Sequence, residues 1–369
     1  MTSIKARSPH WWAGIALAIA VSLAAGIAAE WLGESLLGFD KSPISPIVMA
    51  IVIGMIVANS VTVPDRVVDG LRFCTTAILR IGIMLLGIRL SLLGAGRFTL
   101  VALPFVIVAI TIGLTIVGVL GRSLGLSRQL SGLIAVGTSI CGCTAIVATA
   151  PLIKANEAEV SYSIACITLF GLAVMFIYPV LGHFIFPEQP ALAGLFLGTS
   201  IHETAQVAGA GLVYQTQYDA PVALDVATVT KLVRNLCMIA AIPLVGILYA
   251  GDRKQVSGEK GQWLSMIPWF IVGFALMSAL RTLGDLGARP FGVLEPEQWR
   301  AAVELLQTTA ERCLLIAMAA VGLTSIFAGL RSIGIRPFLL ALLAAVLVGG
   351  GSLLLISLFA ERLIGFAGL

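Results

Sequence analysis

The chain has 369 residues, of which 59% are hydrophobic and only 11% are charged. Soluble domains carry about 25% charged residues, so this composition excludes an ordinary soluble domain and indicates a membrane protein. The net charge of +4 is small, and no basic aromatic patch is present, which argues against a nucleic-acid partner.

Apolar stretches long enough to cross a bilayer follow one another along almost the whole chain. A membrane-spanning helix needs about 20 residues, and this length divides the chain into about eleven helices without room for a soluble domain. The predicted spans are residues 11–30, 44–60, 73–93, 98–120, 130–153, 160–186, 191–213, 224–250, 264–284, 308–329 and 336–359. The sequence therefore predicts an all-α polytopic membrane protein with a single transmembrane domain over residues 1–369.

The helix count suits two inverted repeats of five helices. Residues 1–42 would then be an extra N-terminal helix, residues 43–187 the first repeat and residues 188–369 the second. The fourth helices of the two groups, which are helices five and ten, would be equivalent. The longest connection, residues 285–307, predicts a short amphipathic helix at the membrane interface.

Basic residues are distributed unevenly between the two predicted sides. Those on the side of the N-terminus are Lys5, Arg7, Arg66, Arg72, Arg122, Arg128, Arg253, Lys254, Lys260, Arg331 and Arg336, and those opposite include Lys41, Arg97, Lys154, Arg289 and Arg300. Cytoplasmic loops carry an excess of Lys and Arg. This predicts a cytoplasmic N-terminus and, with an odd number of spans, a periplasmic C-terminus.

Two predicted spans contain the same four-residue sequence, Gly-Thr-Ser-Ile, which we call the repeated phrase. It reads Gly137-Thr138-Ser139-Ile140 in the fifth span and Gly198-Thr199-Ser200-Ile201 in the seventh. Small and polar residues of this kind predict a break in each helix. Broken backbone at membrane depth is tolerated only where it is buried in protein or lines a cavity, and repeated breaks point to a transport site.

The repeated phrase has several explanations. It reflects either structural symmetry or two separate loops that converge on one ligand. With one span between them, helices five and seven would point the same way, whereas an inverted repeat would pair helix five with helix ten, where Gly322-Leu323-Thr324-Ser325-Ile326 is similar. A third explanation is that Gly, Ser and Thr only allow close helix packing.

Helix eight carries two cations on one face. Lys231 and Arg234 are three residues apart in an apolar segment, and this spacing places them on the same side of a helix. A charge at the bilayer centre costs at least about 2.5 kcal/mol and is usually functional. The pair would attract an anion, helped by half-helix N-termini if these converge there. The alternative is a structural ion pair of Lys231 with Glu203 or Asp225.

Two titratable residues, His202 and Glu203, follow the second phrase directly. Burial favours the protonated form of a carboxyl group, a nearby cation opposes this, and histidine titrates near neutrality. Both side chains are therefore candidates for coupling transport to H⁺, with Na⁺ as the alternative coupling ion. It is equally open that they only order the broken turn.

Catalytic and metal-binding patterns are incomplete in this chain. The run from His202 to Gln206 begins like a zinc-protease helix, but Gln206 stands in the place of the second His. Cys141 and Cys143 have no second cysteine pair at ligand spacing. No nucleotide-binding glycine motif with its lysine is present. We therefore expect no enzyme activity, no metal and no cofactor, and transport driven by an ion gradient.

The two phrases extend into longer motifs. These run from Gly137 to Ile146 and from Gly198 to Val207, and they are accompanied by Lys231-Leu232-Val233-Arg234. The three segments resemble the YeiH-type sulfate exporter family, and the resemblance covers nearly the whole chain. Two residues depart mildly from the family's pattern, because Cys143 and Thr144 stand where a small residue and a Ser are expected.

This resemblance implies a bacterial inner-membrane protein related in fold to cation/proton antiporters and bile-acid transporters. It implies paired inverted five-helix repeats with crossed broken helices, and it favours helices five and ten as the crossing pair. Members of this fold group often form homodimers, so a homodimer in the lipid bilayer is expected. The family's name rests on association, and it implies only a small sulfur oxyanion or organic anion.

The sequence thus predicts a secondary transporter, and specifically an exporter, of a small anion such as sulfate, sulfite or an organosulfonate, working by alternating access. The predicted substrate-binding residues are Thr138, Ser139, Cys141, Thr144, Thr199, Ser200, His202, Lys231 and Arg234, and the predicted ion-coupling residues are Glu203 and His202. Rival functions are an anion channel, which needs a continuous hydrophilic path, a cation/proton exchanger that uses Glu203, and a sensor or scaffold without flux.

Overall fold

The structure is a computed structural model that describes residues 9–36, 42, 44–61, 64–250, 268–286, 289–325 and 334–367. These residues are almost entirely helical and contain no strand, which confirms the all-α class. Among them, six helices are long and apolar enough to cross a membrane, or seven if a pair bent by 42° after residue 236 is one span. The predicted number of eleven spans is not confirmed.

Sixteen α-helices follow one another in the described residues. They are α1 (Pro9–Glu30), α2 (Pro46–Ser60), α3 (Asp65–Phe73), α4 (Leu79–Leu86), α5 (Leu92–Ile112), α6 (Gly118–Ser123), α7 (Arg128–Ser139), α8 (Cys143–Thr149), α9 (Glu157–Ile185), α10 (Pro190–Ser200), α11 (Thr204–Tyr218), α12 (Pro221–Leu236), α13 (Met238–Ala250), α14 (Trp269–Gly284), α15 (Pro296–Thr324) and α16 (Ile335–Ala367). Short π-helical segments join α3 to α4 and α5 to α6.

The chain divides into two compact units. Unit 1 comprises residues 1–91, 212–219 and 273–328, and unit 2 comprises residues 92–211, 220–272 and 329–369. Each unit takes residues from both predicted repeats. The repeat boundary between residues 187 and 188 therefore stays a prediction.

Pairs of glycines hold the helices of unit 1 close together. A Cβ on Gly14 of α1 would lie 2.8 Å from the Cα of Gly70 in α3, and a Cβ on Gly322 of α15 would lie 3.1 Å from the Cα of Gly54 in α2. Small residues allow such backbone approach between membrane helices. The predicted extra helix α1 is thus an integral part of unit 1, where its alanines are buried beside Leu71.

The predicted interfacial helix at residues 285–307 is wrong as a separate element. Instead, α15 begins at Pro296 and continues without a break to Thr324. Trp299 and Val303 are buried against Ile88, so the apolar residues of this segment belong to a packed helix. The break predicted in helix ten is not seen up to the end of α15, and residues 326–333 lie outside the described residues.

The fifth predicted span is a hairpin rather than a broken span. Helices α7 and α8 are separated by residues 140–142, where Gly142 has a φ of +67°. A Cβ on Gly137 in α7 would lie 2.8 Å from Ile146 Cδ1 in α8. In a continuous helix these residues would be separated by about 13 Å along the axis. The chain therefore turns back on itself, and we call α7 and α8 the first hairpin.

The seventh predicted span is a second hairpin. Helices α10 and α12 are parallel, because Gly194 faces Ala223 and, further along both helices, Gly198 faces Ala227. Helices α11 and α12 run in opposite directions: Gly211 faces Leu224, whereas residue 204 at the start of α11 is hydrogen-bonded to residue 235. Helix α11 therefore reverses the direction of α10, and the two form the second hairpin, with its turn at residues 201–203.

The two hairpins start at opposite ends of α9. Ser127, which precedes the first hairpin, donates a hydrogen bond to Glu159 in the first turn of α9. Ala193, at the start of the second hairpin, lies beside Gly182 near the C-terminal end of α9. The 29 residues of α9 are enough to cross a bilayer. Within unit 2 the hairpins thus enter from opposite sides of the membrane.

This arrangement corrects the expectation that helices five and seven point the same way. Each copy of the repeated phrase ends the first arm of a hairpin, and the two first arms run in opposite directions. The phrase therefore relates helix five to helix seven, not to helix ten as the resemblance favoured. Each hairpin returns toward the end at which it starts, so the fifth and seventh predicted spans are not single straight helices.

The first hairpin also changes the side assigned to Lys154. This residue follows α8 and precedes the first turn of α9, so it lies at the same end of unit 2 as Arg128. It was predicted on the opposite side. Other basic residues used for orientation lie outside the described residues, namely Lys5, Arg7, Lys41, Arg253, Lys254, Lys260 and Arg331.

We expect Gly198→Ala to lower the melting temperature of the protein. The added Cβ would lie 2.5 Å from Thr230 Cβ and 2.8 Å from the Ala227 carbonyl oxygen, and overpacking of this kind costs about 1–3 kcal/mol. Gly350→Ala is the matched control, because no atom lies within 4 Å of its added Cβ. Equal melting temperatures of the two purified variants would contradict the close packing of α10 and α12.

Candidate functional site

The turns of the two hairpins meet inside unit 2. We call residues 140–142 the first tip and residues 201–203 the second tip. The first arms end at Ser139 and Ser200, both fully buried. The last carbonyl groups of a helix have no partner within the helix, and buried carbonyls need hydrogen-bond donors. Both tips therefore bring unpaired acceptors into an apolar interior.

Lys231 of α12 supplies donors to both tips. Its Nζ donates hydrogen bonds to the carbonyl oxygens of Ile140 and Ile201, each at 3.0 Å, and to that of His202. The residue is only 1% exposed. A lysine ammonium has three hydrogens to donate, and here all three are directed at main-chain carbonyls.

Arg234, one turn further along α12, also joins the two hairpins. Its Nε donates to the Ser139 carbonyl at 2.7 Å and its Nη2 to the Thr138 carbonyl, while Nη1 donates to the carbonyls of Thr199 at 2.9 Å and Ile201 at 3.0 Å. The side chain is completely buried. Helix C-termini carry partial negative charge, so the two cations stabilise the ends of both first arms.

This geometry gives the two cations partners that the sequence analysis did not predict. There, Lys231 and Arg234 are predicted to hold an anion, helped by half-helix N-termini if these converge on them. The groups around the cations are instead the carboxyl ends of α7 and α10. The alternative ion pair with Glu203 or Asp225 does not take the hydrogens of Lys231 either. Both cations fasten the hairpin tips together.

A second set of buried polar atoms has no hydrogen-bond partner within the described residues. At the second tip these atoms are Ser200 Oγ and both ring nitrogens of His202, and both residues are 0% exposed. On α12, Thr230 Oγ1 and Asn235 Oδ1 are likewise without a partner among these residues. Buried polar groups are nearly always hydrogen-bonded, so Ser200 and His202 have the chemistry to bind a polar ligand or water.

The threonines of the repeated phrase differ from the serines. Thr138 Oγ1 donates to the Ile134 carbonyl, and Thr199 Oγ1 donates to the Leu195 carbonyl, each at 2.8 Å within its own helix. Their hydroxyl groups are therefore already paired, although both were predicted to bind substrate. Their main-chain carbonyls, not their side chains, face Arg234.

The other predicted site residues lie at or near the first tip. Ser139 Oγ would be 2.1 Å from a Cβ on Gly113, so it is directed at the π-helical segment after α5. Cys141 Sγ donates to Met238 Sδ at 3.5 Å. Thr144 is exposed in the first turn of α8. These residues share the region of the tips, but their side chains do not converge on the cations.

Glu203 links the second tip to the first hairpin. Its Oε1 accepts a hydrogen bond from the main-chain N–H of Cys143 at 3.3 Å, and its own N–H donates to Gln206 Oε1 at 3.2 Å. The carboxylate is half-buried. Two basic side chains of α12 and one carboxyl group of the second tip therefore meet where the hairpins end.

Two residues that shape this site, the polar Gln206 and the small Gly171, were missed by the sequence reasoning. Gln206 Nε2 donates to the Thr168 carbonyl at 3.4 Å and so ties the start of α11 to α9. Gly171 makes room for this side chain, because a Cβ there would lie 2.2 Å from Gln206 Oε1. Gln206 belongs to the second motif, and its position in an apolar segment was the signal available.

We expect Gly142→Ala to destabilise the tips. Gly142 combines a φ of +67° with a ψ of −131°, which glycine adopts far more readily than other residues, and an added Cβ would lie 2.4 Å from Glu203 Cγ. Such backbone strain costs about 1–3 kcal/mol. Gly292→Ala is the control, since its φ is +76° but no atom lies within 4 Å. A melting temperature of Gly142→Ala no lower than that of Gly292→Ala would contradict the contact between the tips.

Comparison with known protein families assigns this chain to one of them. The model of the family described as conserved hypothetical protein 698 matches residues 14–341. The chain belongs to this family. It is 33% identical over 341 residues to a UPF0324 membrane protein of Bacillus anthracis, which covers 90% of this chain and 92% of the relative.

Further relatives match over similar lengths. A UPF0324 membrane protein of Oceanobacillus iheyensis is 32% identical over 349 residues, covering 94% of this chain and 95% of the relative. The UPF0324 inner membrane protein YeiH of Salmonella typhi is 30% identical over 355 residues, covering 93% of each. The resemblance to YeiH is confirmed. Together with the six or seven candidate spans, these matches identify a multi-pass membrane protein.

Proposed function

We propose that this protein is a secondary transporter that moves a small anion by alternating access, driven by an ion gradient. The observation that carries the proposal is the meeting of two hairpin tips that enter unit 2 from opposite ends of α9. Helices interrupted near the middle of the membrane are typical of secondary transporters and form their substrate sites. Release of one hairpin at a time would expose such a site to one side and then to the other.

Charge and hydrogen-bonding capacity favour an anion over a cation as the substrate. The two buried cations outnumber the single carboxylate at the tips, so the site has excess positive charge. Among the described residues, the Ser200 hydroxyl and the His202 ring nitrogens have no hydrogen-bond partner, so they can bind a ligand. We assign the anion to these two side chains and to the first amides of α11, whose N-terminal end carries partial positive charge.

The remaining predicted roles follow from this assignment. Lys231 and Arg234 position the tips, and Glu203 with His202 couples anion binding to H⁺, because both lie on the second tip. The resemblance suggests sulfate, sulfite or an organosulfonate as the substrate, and export as the direction. We propose no enzymatic step, since transport requires none, and we carry over the homodimer as an expectation of the resemblance.

The orientation in the membrane follows from the basic residues of unit 2. Arg122, Arg128, Lys154 and Arg336 lie at the end where α9 begins, whereas Arg97 lies at the other end. The excess of Lys and Arg marks the cytoplasmic side. We therefore propose that α9 starts in the cytoplasm and that the C-terminus lies in the periplasm, and the cytoplasmic N-terminus stays a prediction of the sequence. The name of the Salmonella typhi relative suggests the inner membrane.

Counterflow in proteoliposomes tests the proposed function. Vesicles loaded with unlabelled sulfate, sulfite or methanesulfonate are diluted into the same labelled anion at a trace concentration. A carrier accumulates label transiently and saturates with substrate, whereas a channel shows neither behaviour. Accumulation above that of protein-free vesicles for at least one anion is the expected result. Uptake without counterflow would favour a channel, and Na⁺/H⁺ exchange without anion flux would favour an exchanger based on Glu203.

A further inference from the structure

The oxygen atoms around Lys231 Nζ are arranged like the ligands of a bound metal cation. Three main-chain carbonyl oxygens, from Ile140, Ile201 and His202, converge on this one nitrogen, two of them at 3.0 Å. They come from both hairpin tips and from no side chain. Transporters with discontinuous helices use unwound carbonyls and half-helix C-terminal ends to coordinate Na⁺.

We infer that the Lys231 ammonium is a built-in cation that occupies a latent site for a small monovalent cation at the hairpin tips. The three carbonyl oxygens need a cation or another hydrogen-bond donor beside them. Buried carbonyls that lack a donor destabilise the folded protein, and two helix C-termini add negative potential. Arg234 cannot serve instead, since its donors are engaged with the carbonyls of residues 138, 139, 199 and 201.

Wild type and a variant with a truncated Lys231 side chain should differ in their binding of small cations. In the wild type the site is already filled by the tethered ammonium, so free Na⁺, K⁺ or NH₄⁺ has nothing to add there. In Lys231→Ala the carbonyls remain while the ammonium and three methylene groups are removed, which leaves space for a small cation at the carbonyls. Ammonium and methylammonium match that head group most closely in charge and hydrogen-bonding, and Na⁺ or K⁺ would bind through charge alone.

Thermal melting of the purified full-length protein tests the inference. Wild type, Lys231→Ala and Lys231→Met are compared in N-methylglucamine chloride and after its replacement, at constant ionic strength, by ammonium, methylammonium, sodium or potassium chloride. We expect at least one small cation to raise the melting temperature of Lys231→Ala by about 2–4 °C or more, as for a ligand of the folded state that contributes about 1 kcal/mol. Lys231→Met should not respond, because its side chain fills the pocket.

The control is Lys154→Ala, which removes an exposed lysine from the same unit and should behave as the wild type does. Equal stabilisation of wild type and Lys231→Ala would overturn the inference, because the cations would then bind elsewhere. So would a Lys231→Ala variant that responds to none of the four cations. If the variant folds only when ammonium or methylammonium is present during extraction, the inference holds. Failure to recover it with any cation overturns the inference.

The inference deepens the proposed function, on which its meaning for transport rests, but its test is separate. The melting experiment requires no transported anion. Failed anion counterflow with a positive cation response would therefore remove the transport proposal and leave the cation site standing. Counterflow by wild type with no response of Lys231→Ala would remove the cation site alone. If both hold, a tethered ammonium stands at the tips of this transporter in the place where other transporters with discontinuous helices bind Na⁺.

Discussion

Arg234→Met is expected to destabilise the protein by at least about 3 kcal/mol and to abolish anion flux. The guanidinium group donates to four carbonyls at the ends of both first arms, and each buried acceptor that loses its donor costs about 1–3 kcal/mol. Methionine has a similar length but no donor, so it removes the hydrogen bonds while filling much of the space. Thermal melting and proteoliposome counterflow measure the two losses.

The matched control for this substitution is Arg122→Met. Arg122 lies in the same unit and is exposed, and its hydrogen bond among the described residues is to the Gly118 carbonyl of its own helix. Exposed sites of this kind usually change stability by no more than about 0.5 kcal/mol. Arg234→Lys should retain part of the stability, because one ammonium can reach fewer carbonyls than the planar guanidinium. An Arg234→Met variant as stable as Arg122→Met would show that Arg234 does not fasten the tips.

His202→Leu is expected to have opposite effects on stability and on binding. The ring nitrogens of His202 are buried without partners in the described residues, and such groups reduce stability, so an apolar side chain of similar size should leave the melting temperature unchanged or raise it. A hydrogen bond to a charged ligand contributes about 1.5–3 kcal/mol. Anion affinity should therefore fall about tenfold to a hundredfold.

Two further variants separate ligand contacts from general effects at the second tip. Ser200→Ala should reproduce the loss of affinity, because its hydroxyl is unpaired in the described part of the chain. Thr199→Val should not, because the Thr199 hydroxyl is bonded within α10. Isothermal titration with the anion found in counterflow measures the affinities. If His202→Leu lowers the melting temperature and leaves the affinity unchanged, the imidazole is a structural group and the anion lies elsewhere.

Sequence reasoning identified several residues that meet at the tips, but it did not predict their arrangement. The repeated phrase predicted the two breaks, and the helices do end at Ser139 and Ser200. The spacing of Lys231 and Arg234 predicted a shared face, and both reach the breaks. These features are local, since they depend on helix-breaking residues and on the period of the helix, and local features can be read from one sequence.

The direction of the chain after each break could not be predicted in this way. A Gly-Thr-Ser phrase interrupts a helix, but it does not specify whether the next helix continues across the membrane or returns. That depends on tertiary contacts, such as Ile146 against Gly137 and Leu224 against Gly211. Because the reversal was missed, the sequence analysis considered only helix N-termini as possible helpers of the cations, whereas the carbonyls at the C-terminal ends of α7 and α10 surround them. The same error moved Lys154 to the wrong side.

The central claim is that the second hairpin tip binds a small anion, and one measurement tests it most directly. Melting temperatures of wild type and His202→Leu are determined across sulfate, sulfite, methanesulfonate and acetate at constant ionic strength and pH. The account predicts a concentration-dependent rise for wild type with at least one of these anions, and for His202→Leu the same rise only at about tenfold to a hundredfold higher anion concentration. If no anion shifts the wild type, while a change of pH or Na⁺ does, the anion site is contradicted and cation exchange through Glu203 takes its place.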